Sequence, residues 1–443
     1  MSIKNIYNEL SLMRNYLVLL LTVIGWAEAY GQQNVVSLEE SKKAALQYSF
    51  DIKSGKYNED LAESAKREAL ASYLPNINAY GTGVYGFEDL IPAGLTGGIG
   101  IDNMYFAGVQ LTLGVYQGGA RRSSNELVQL QWDVSQIRSQ QAEDSVILLT
   151  EQKYWQLVRI QEQQKVLEAN HQYLKGLLKL QNDLLASGLI AKNDLYTVKV
   201  EVNNLLLQKS KLKNLQNIAI LDFALFTGIE YDTAMVVGDS FELSTLPVDQ
   251  FSQPDLALTG NSNYQLLQKS IEASTLQTKL EKSKRLPSVA VGLNGMGYGV
   301  FDGPLDSEFV PFAFGTVNIP ISAWWGRDRE KIKQRSIRER MAVNNLEKVE
   351  TQLKLGIMSS WYNLKDSREK ILTAQKTWEL AKENLKVSRD SYESGLVDLT
   401  DLLNAQRMKS QAETELVSSF SEHEGAEVLY LFNTNQIVIP NMD

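Results

Sequence analysis

Apolar residues recur every seven positions along two long stretches of the chain. Leu364, Ile371, Trp378, Leu385 and Tyr392 form one series, and Val198, Leu205, Leu212, Ala219 and Phe226 form another. A sustained seven-residue apolar repeat predicts helices packed as coiled coils. The pattern predicts helices over roughly 37–72, 121–185, 193–228, 263–284, 328–392 and 400–432. Only a handful of residues separate the two long helices of each pair, so each pair folds back as an antiparallel hairpin. A helix of about 65 residues is on the order of 100 Å long, beyond an ordinary domain.

Other stretches change period from seven to two. Strands are predicted at roughly 76–87, 104–116, 288–300 and 309–322. In the first, Ile77, Ala79 and Tyr85 oppose Asn76, Asn78 and Thr82; in the second, Tyr105, Ala107, Val109, Leu111 and Leu113 oppose Gln110 and Thr112. Strands of about ten residues, apolar on one face with aromatics near their ends, suit a transmembrane barrel. The same pattern also fits a soluble hairpin pair capping a helical rod. Four strands cannot close a membrane barrel, for which about eight is the practical minimum. A barrel therefore requires several copies of the chain; three give twelve strands and a lumen.

The plan is written twice. Tyr154-Trp155 returns as Trp361-Tyr362, Ser187-Gly188-Leu189 as Ser394-Gly395-Leu396, and Asn193-Asp194-Leu195 as Thr400-Asp401-Leu402, each 207 residues later. Gly108 and Gly119 pair with Gly315 and Gly326 at the same offset, whereas Leu74-Pro75 matches Leu286-Pro287 at 212. The difference predicts an inserted loop between Pro75 and Gly108, because insertions collect in loops.

Composition narrows the function. Of 443 residues, 53 are acidic and 44 are Lys or Arg, a net charge of −9 that opposes nucleic-acid binding. Cysteine is absent and there are two histidines, His171 and His423, expected at helix surfaces or interfaces. Disulfides, Cys-based zinc sites and multi-His metal sites within one chain are excluded. No nucleophile–base constellation or phosphate-binding Gly-Lys-Ser/Thr element is found, so neither catalysis nor a cofactor is expected. Met13-Arg14-Asn15, the apolar run 16–24 and Ala27-Glu28-Ala29 read as a signal peptide within residues 1–31, behind a short extension. Beyond residue 31 no apolar stretch of about 18 residues could form a transmembrane helix.

On the duplicated strand–strand–helix–helix order, Leu-Pro before each hairpin, Gly-Gly-Ala-Arg-Arg (118–122), Trp-Gly-Arg-Asp-Arg (325–329) and the paired Ser-Gly-Leu turns, the chain resembles TolC-type outer membrane efflux proteins. The resemblance implies an α+β membrane protein: a homotrimer with a 12-stranded outer-membrane β-barrel and a periplasmic α-helical coiled-coil barrel. It divides the chain into a first repeat (32–228), a linker or equatorial segment (229–262), a second repeat (263–432) and a tail (433–443). It also implies a passive duct from the periplasm across the outer membrane. A periplasmic adaptor and an inner-membrane pump of the resistance-nodulation-division or ABC type would be its partners. A non-channel coiled-coil rod or surface adhesin is the alternative, and the cargo is not legible.

The two turns carry the candidate site. Gly188 and Gly395 stand where a helix end needs a left-handed residue. Asn193 and Thr400 are expected N-caps, and Asp194 and Asp401 place negative charge on a positive helix end. Dipole capping alone would explain both aspartates. The resemblance assigns aperture gating to Asp194 with Tyr392, and aperture lining to Asp401 and Asn404. Asn404 stands where some relatives carry a second aspartate, and Val397 where some carry an arginine. Leu189, Ile190 and Ala191 in one turn, with Leu396, Val397 and Leu399 in the other, offer an apolar tip to an adaptor. Leu189 and Leu396 are expected to fold back onto their own hairpins, leaving Ile190 and Val397 for docking. Arg121, Arg122, Arg327, Arg329 and Lys331 follow the strands and could meet outer-membrane lipid headgroups or simply be solvated. The solvated reading is preferred. Trp324 and Trp325 read as interfacial anchors.

Overall fold

The computed structural model describes residues 35–95, 100–242, 251, 254–256, 258–301 and 308–440. The signal peptide expected in 1–31 and part of the 229–262 segment, Pro247 included, lie outside them. The described residues fall into two compact units, each drawing on both sequence repeats: those within 35–49, 144–251 and 359–440 form one, and those within 50–143 and 254–358 the other.

In the second unit, helices α2 (Phe50–Ala71) and α5 (Ser262–Ser283) each lead into a strand, and strands lead back into the long helices α3 (Ala120–Ala186) and α6 (Arg327–Glu393). Strands β2 (Asn76–Tyr85), β3 (Asn103–Gln117), β5 (Ser288–Gly299) and β6 (Glu308–Asn318) form one antiparallel sheet in the order β2-β3-β5-β6. The β3–β5 pairing joins the repeats, with Leu111 opposite Leu293 and a bulge between Gly114 and Tyr116. β2 and β6 are the free edges. Ile77, Tyr85, Val109, Leu293, Phe309 and Val317 are exposed on this sheet. The predicted insertion lies in the β2–β3 connection, residues 86–102, which carries a 3₁₀ turn at Ala93–Leu95 and an Ile91–Ile101 bridge.

The first unit holds α1 (Leu38–Tyr48), the rest of α3 and α6, and helices α4 (Lys192–Thr227) and α7 (Leu399–Asn433). Ser37 opens α1 with a capping box, its side chain and that of Glu40 each accepting the other's backbone N–H. The single helix expected over 37–72 is two helices. Ser49 turns extended between them (ψ 128°), which breaks the bonding ladder. Tyr154, Val158, Ile160, Phe223, Ile371, Leu416 and Val417 are buried together as the core. The seven-residue series holds from Val198 through Leu205 and Leu212 to Ala219, then drifts: Phe223 is fully buried, whereas Phe226 is only partly so. A straight helix of 3.6 residues per turn slips about 20° per heptad, so the buried position migrates. A second pairing has no counterpart in the sequence pattern: β1 (Val35–Val36) runs parallel to β4 (Val236–Val237), and Phe251 lies edge-on to Tyr430 at 5.4 Å. No helix among the described residues is long and apolar enough to cross a membrane.

Candidate functional site

The two helical turns are built alike. α3 ends at Ala186, and the amides of Gly188 and Leu189 donate to the carbonyls of Leu185 and Leu184 at 3.0 and 2.9 Å. α6 ends at Glu393, and Gly395 and Leu396 donate to Tyr392 and Ser391 at the same distances. These crossed bonds are a Schellman turn. Gly188 and Gly395 take φ of +74° and +71°, and no heavy atom lies within 4 Å of a Cβ built on either. The glycines are required by the left-handed backbone, not by space.

Each following helix begins earlier than expected. Ala191 occupies the N-cap of α4 without a side-chain bond, and Asp398 caps α7, its Oδ1 accepting from the Asp401 amide at 2.9 Å. Asn193 and Thr400 are therefore not the caps. Helical geometry resumes at residues 192 and 399, which moves them inside the first turn. Asp194 and Asp401 stay in that first turn, where they complement the helix dipole. Asp194 is half-buried; Asp401 is exposed. Asn404, also exposed, accepts from Arg407 Nη2 at 2.5 Å.

Behind the turns, Leu174, Leu177, Val198, Leu205, Leu402 and Leu403 form an apolar seam against which Tyr392 packs. Inside it Gln181 Nε2 donates to the Tyr392 hydroxyl oxygen at 2.7 Å, linking α3 to α6. Gln181 is fully buried and its Oε1 has no partner within the chain. Sequence reasoning missed it. The signal was present, because Gln181 continues the seven-residue series Ile160, Leu167, Leu174 as a polar residue in a core position. Asp194 and Tyr392 are not joined to each other by any hydrogen bond within the chain.

The apolar tip differs from expectation in two ways. Leu189 and Leu396 do not fold back: they are 71% and 78% exposed, while Ile190 and Val397 are half-buried. Leu399 is buried in the seam. The crossed turn aims the residue after the glycine outward, and the next one returns toward the new helix.

Farther along the hairpins sits a carboxylate cluster. Burial, followed by the charges of Glu427, Glu151 and Asp239, pushes Glu424 up to about 7. Burial and Glu151 also raise Glu427. Lys42 pairs with Glu151 at 2.7 Å, and the Tyr154 hydroxyl donates to Asp239. His423, expected at a helix surface or interface, is buried between helices, with Nδ1 2.9 Å from Ser367 Oγ. Burial and the Arg368 charge hold its pKa below the usual imidazole range. Among the described residues no group of three His, Asp or Glu could hold a metal ion.

Both turns thus carry a first-turn carboxylate and an exposed leucine, backed by a hydrogen-bonded apolar seam. Comparison with known proteins gives this arrangement its context. The family model described as outer membrane efflux protein matches residues 43–228 and 254–419. The Campylobacter jejuni CmeC outer membrane channel superposes with a TM-score of 0.78 at 16% identity, over 90% of this chain and 85% of that one. For the outer membrane protein VceC of Vibrio cholerae the values are 0.76, 14%, 92% and 97%. The open-state MtrE outer membrane channel of Neisseria gonorrhoeae gives 0.75, 14%, 90% and 88%. No curated protein matches the sequence.

Proposed function

The chain belongs to the outer membrane efflux protein family, and on that premise we propose that three copies form a passive duct, fed by a periplasmic adaptor and an inner-membrane pump. The family is one of efflux proteins of the outer membrane rather than of enzymes. The observation that carries the trimer is the sheet. Its four strands leave β2 and β6 as long unpaired edges with apolar side chains exposed. Such edges invite pairing with another copy. Twelve strands leave a lumen that eight would fill with side chains.

In the helical turns, Asp194 and Tyr392 form the aperture latch between neighbouring hairpins. Gln181 uses one lone pair of the Tyr392 oxygen, which leaves the phenolic proton free to donate to a carboxylate such as that of Asp194. Asp401, exposed in its first turn, lines the opening with Asn404, and the tips at Gly188–Ile190 and Gly395–Val397 meet the adaptor. The pump is of the resistance-nodulation-division or ABC class, and its class sets the cargo.

The test is direct. Outer-membrane fractions should contain a heat-modifiable trimer that conducts in planar lipid bilayers. A soluble periplasmic monomer without conductance would overturn the reading.

A further inference from the structure

All four helix–strand junctions lie at one end of the sheet, because Gln117 is opposite Ser288 and Ser288 opposite Asn318, with Asn76 opposite Thr112. The helices that meet this end are unevenly charged. Residues 279–285 and 327–340 together carry eleven Lys or Arg and four Asp or Glu, in a chain whose net charge is −9. Farther along the same helix α6, residues 362–393 carry seven cations and six acids, the mixture expected of a solvated face.

Pairing within the chain does not absorb the excess. Lys284 and Lys331 are matched by Glu281 and Asp328, each at 3.2 Å. Arg122 pairs with Glu126 at 2.8 Å, and Arg121 lies over the Tyr73 ring at 5.1 Å. Lys282, Arg327, Arg329 and Lys333 are exposed, and none has an ion-pair partner among the described residues. The unmatched cations thus belong to the second repeat. Arg327 to Lys333 spans about 9 Å of helix axis, comparable with the headgroup layer of about 5–8 Å on each side of a bilayer.

The sheet side of the same junction is apolar. Ile319, Ile321, Trp324 and Trp325 are exposed there, the tryptophans by 47% and 59%. Arg285 Nη2 donates to the Trp324 carbonyl at 3.1 Å, and Trp324 Nε1 donates to the Arg285 carbonyl at 2.9 Å. This reciprocal clasp fixes an indole ring at the foot of the strands. Indoles settle at the boundary of acyl chain and headgroup, and guanidinium groups just beyond can grip phosphate oxygens in pairs.

We propose that this foot is a binding collar for anionic phospholipid in the periplasm-facing leaflet of the outer membrane, with Lys282, Arg327, Arg329 and Lys333 as the headgroup contacts. The inference rests on the outer-membrane reading above. Clustered basic residues beside a membrane segment recognise anionic lipid electrostatically, and the apolar step with two indoles matches a bilayer boundary rather than a solvated polymer.

The test reconstitutes the full-length protein in nanodiscs of phosphatidylethanolamine, alone or doped with phosphatidylglycerol, and counts retained lipids by native mass spectrometry. Wild type should enrich phosphatidylglycerol, less so in high salt. Arg327→Gln/Arg329→Gln/Lys333→Gln should lower that enrichment by at least roughly fivefold, given the strength of basic residues at an anionic surface. Lys376→Gln/Lys382→Gln/Lys386→Gln, the same charge change farther along the helix, should not. Both variants are first checked for heat-modifiable trimers. Equal enrichment in all three proteins overturns the collar. So does a triple variant that keeps its lipid but no longer sediments with peptidoglycan sacculi. A wild type that neither assembles nor conducts would instead overturn the channel reading.

Discussion

Removing the Tyr392 hydroxyl would strip Gln181 of its hydrogen bond inside an apolar seam. An unmatched buried amide costs about 1–3 kcal/mol. We expect Tyr392→Phe to lower the melting temperature and raise single-channel conductance. The double variant Gln181→Leu/Tyr392→Phe should regain stability, because two apolar groups replace a polar pair, while the conductance stays high. An unchanged melt and conductance for Tyr392→Phe would show that this bond is not part of closure. Glu424 gives a second expectation at this scale. Its folded pKa of about 7 exceeds the ordinary 4.5, so the folded state holds the proton more tightly than the unfolded chain. The associated stability is complete below 4.5 and is lost as pH rises through about 7. Glu424→Gln should therefore raise the melting temperature at about pH 8 and leave it unchanged at about pH 4, as thermal melts can verify.

At the scale of elements, the turns show how much a local motif decides. The paired glycines at +74° and +71° have open space around them, so Ala there meets backbone strain alone, on the order of 1–2 kcal/mol. The same geometry turns Leu189 and Leu396 outward. A coiled-coil partner can bury such residues in its seam. Leu189→Glu/Leu396→Glu should leave trimers assembled but abolish cross-linking to an adaptor and export; normal export would place docking on the helix flanks. The expectation that Ile190 and Val397 carry this role rests on Leu189 and Leu396 folding back onto their own hairpins. Spacing gives the turn its length but not the direction in which each side chain leaves a left-handed corner.

For the whole molecule, the repeat becomes meaningful only when the chain is copied. One protomer offers a sheet with two open edges and one exposed Asp401 in its second turn. Three protomers would bring three copies of Asp401 around one constriction, where low-dielectric walls focus the field. Asp401→Asn should shift the reversal potential under a salt gradient toward non-selectivity and weaken block by trivalent cations. If the reversal potential does not move, Asp401 only complements the helix dipole.

The long helices, the strands and both turns are legible in the amino-acid sequence by itself. α3 and α6 run 120–186 and 327–393, within a residue of their predicted spans. Periodicity and a left-handed glycine act through near neighbours in the chain, so a local reading captures them. The Gln181–Tyr392 bond spans 211 residues. The parallel pairing of Val35–Val36 with Val236–Val237 and the burial of His423 beside Ser367 likewise join distant segments. The heptad spacing marks Gln181 as a core position, but the partner in each case depends on which distant segments pack together.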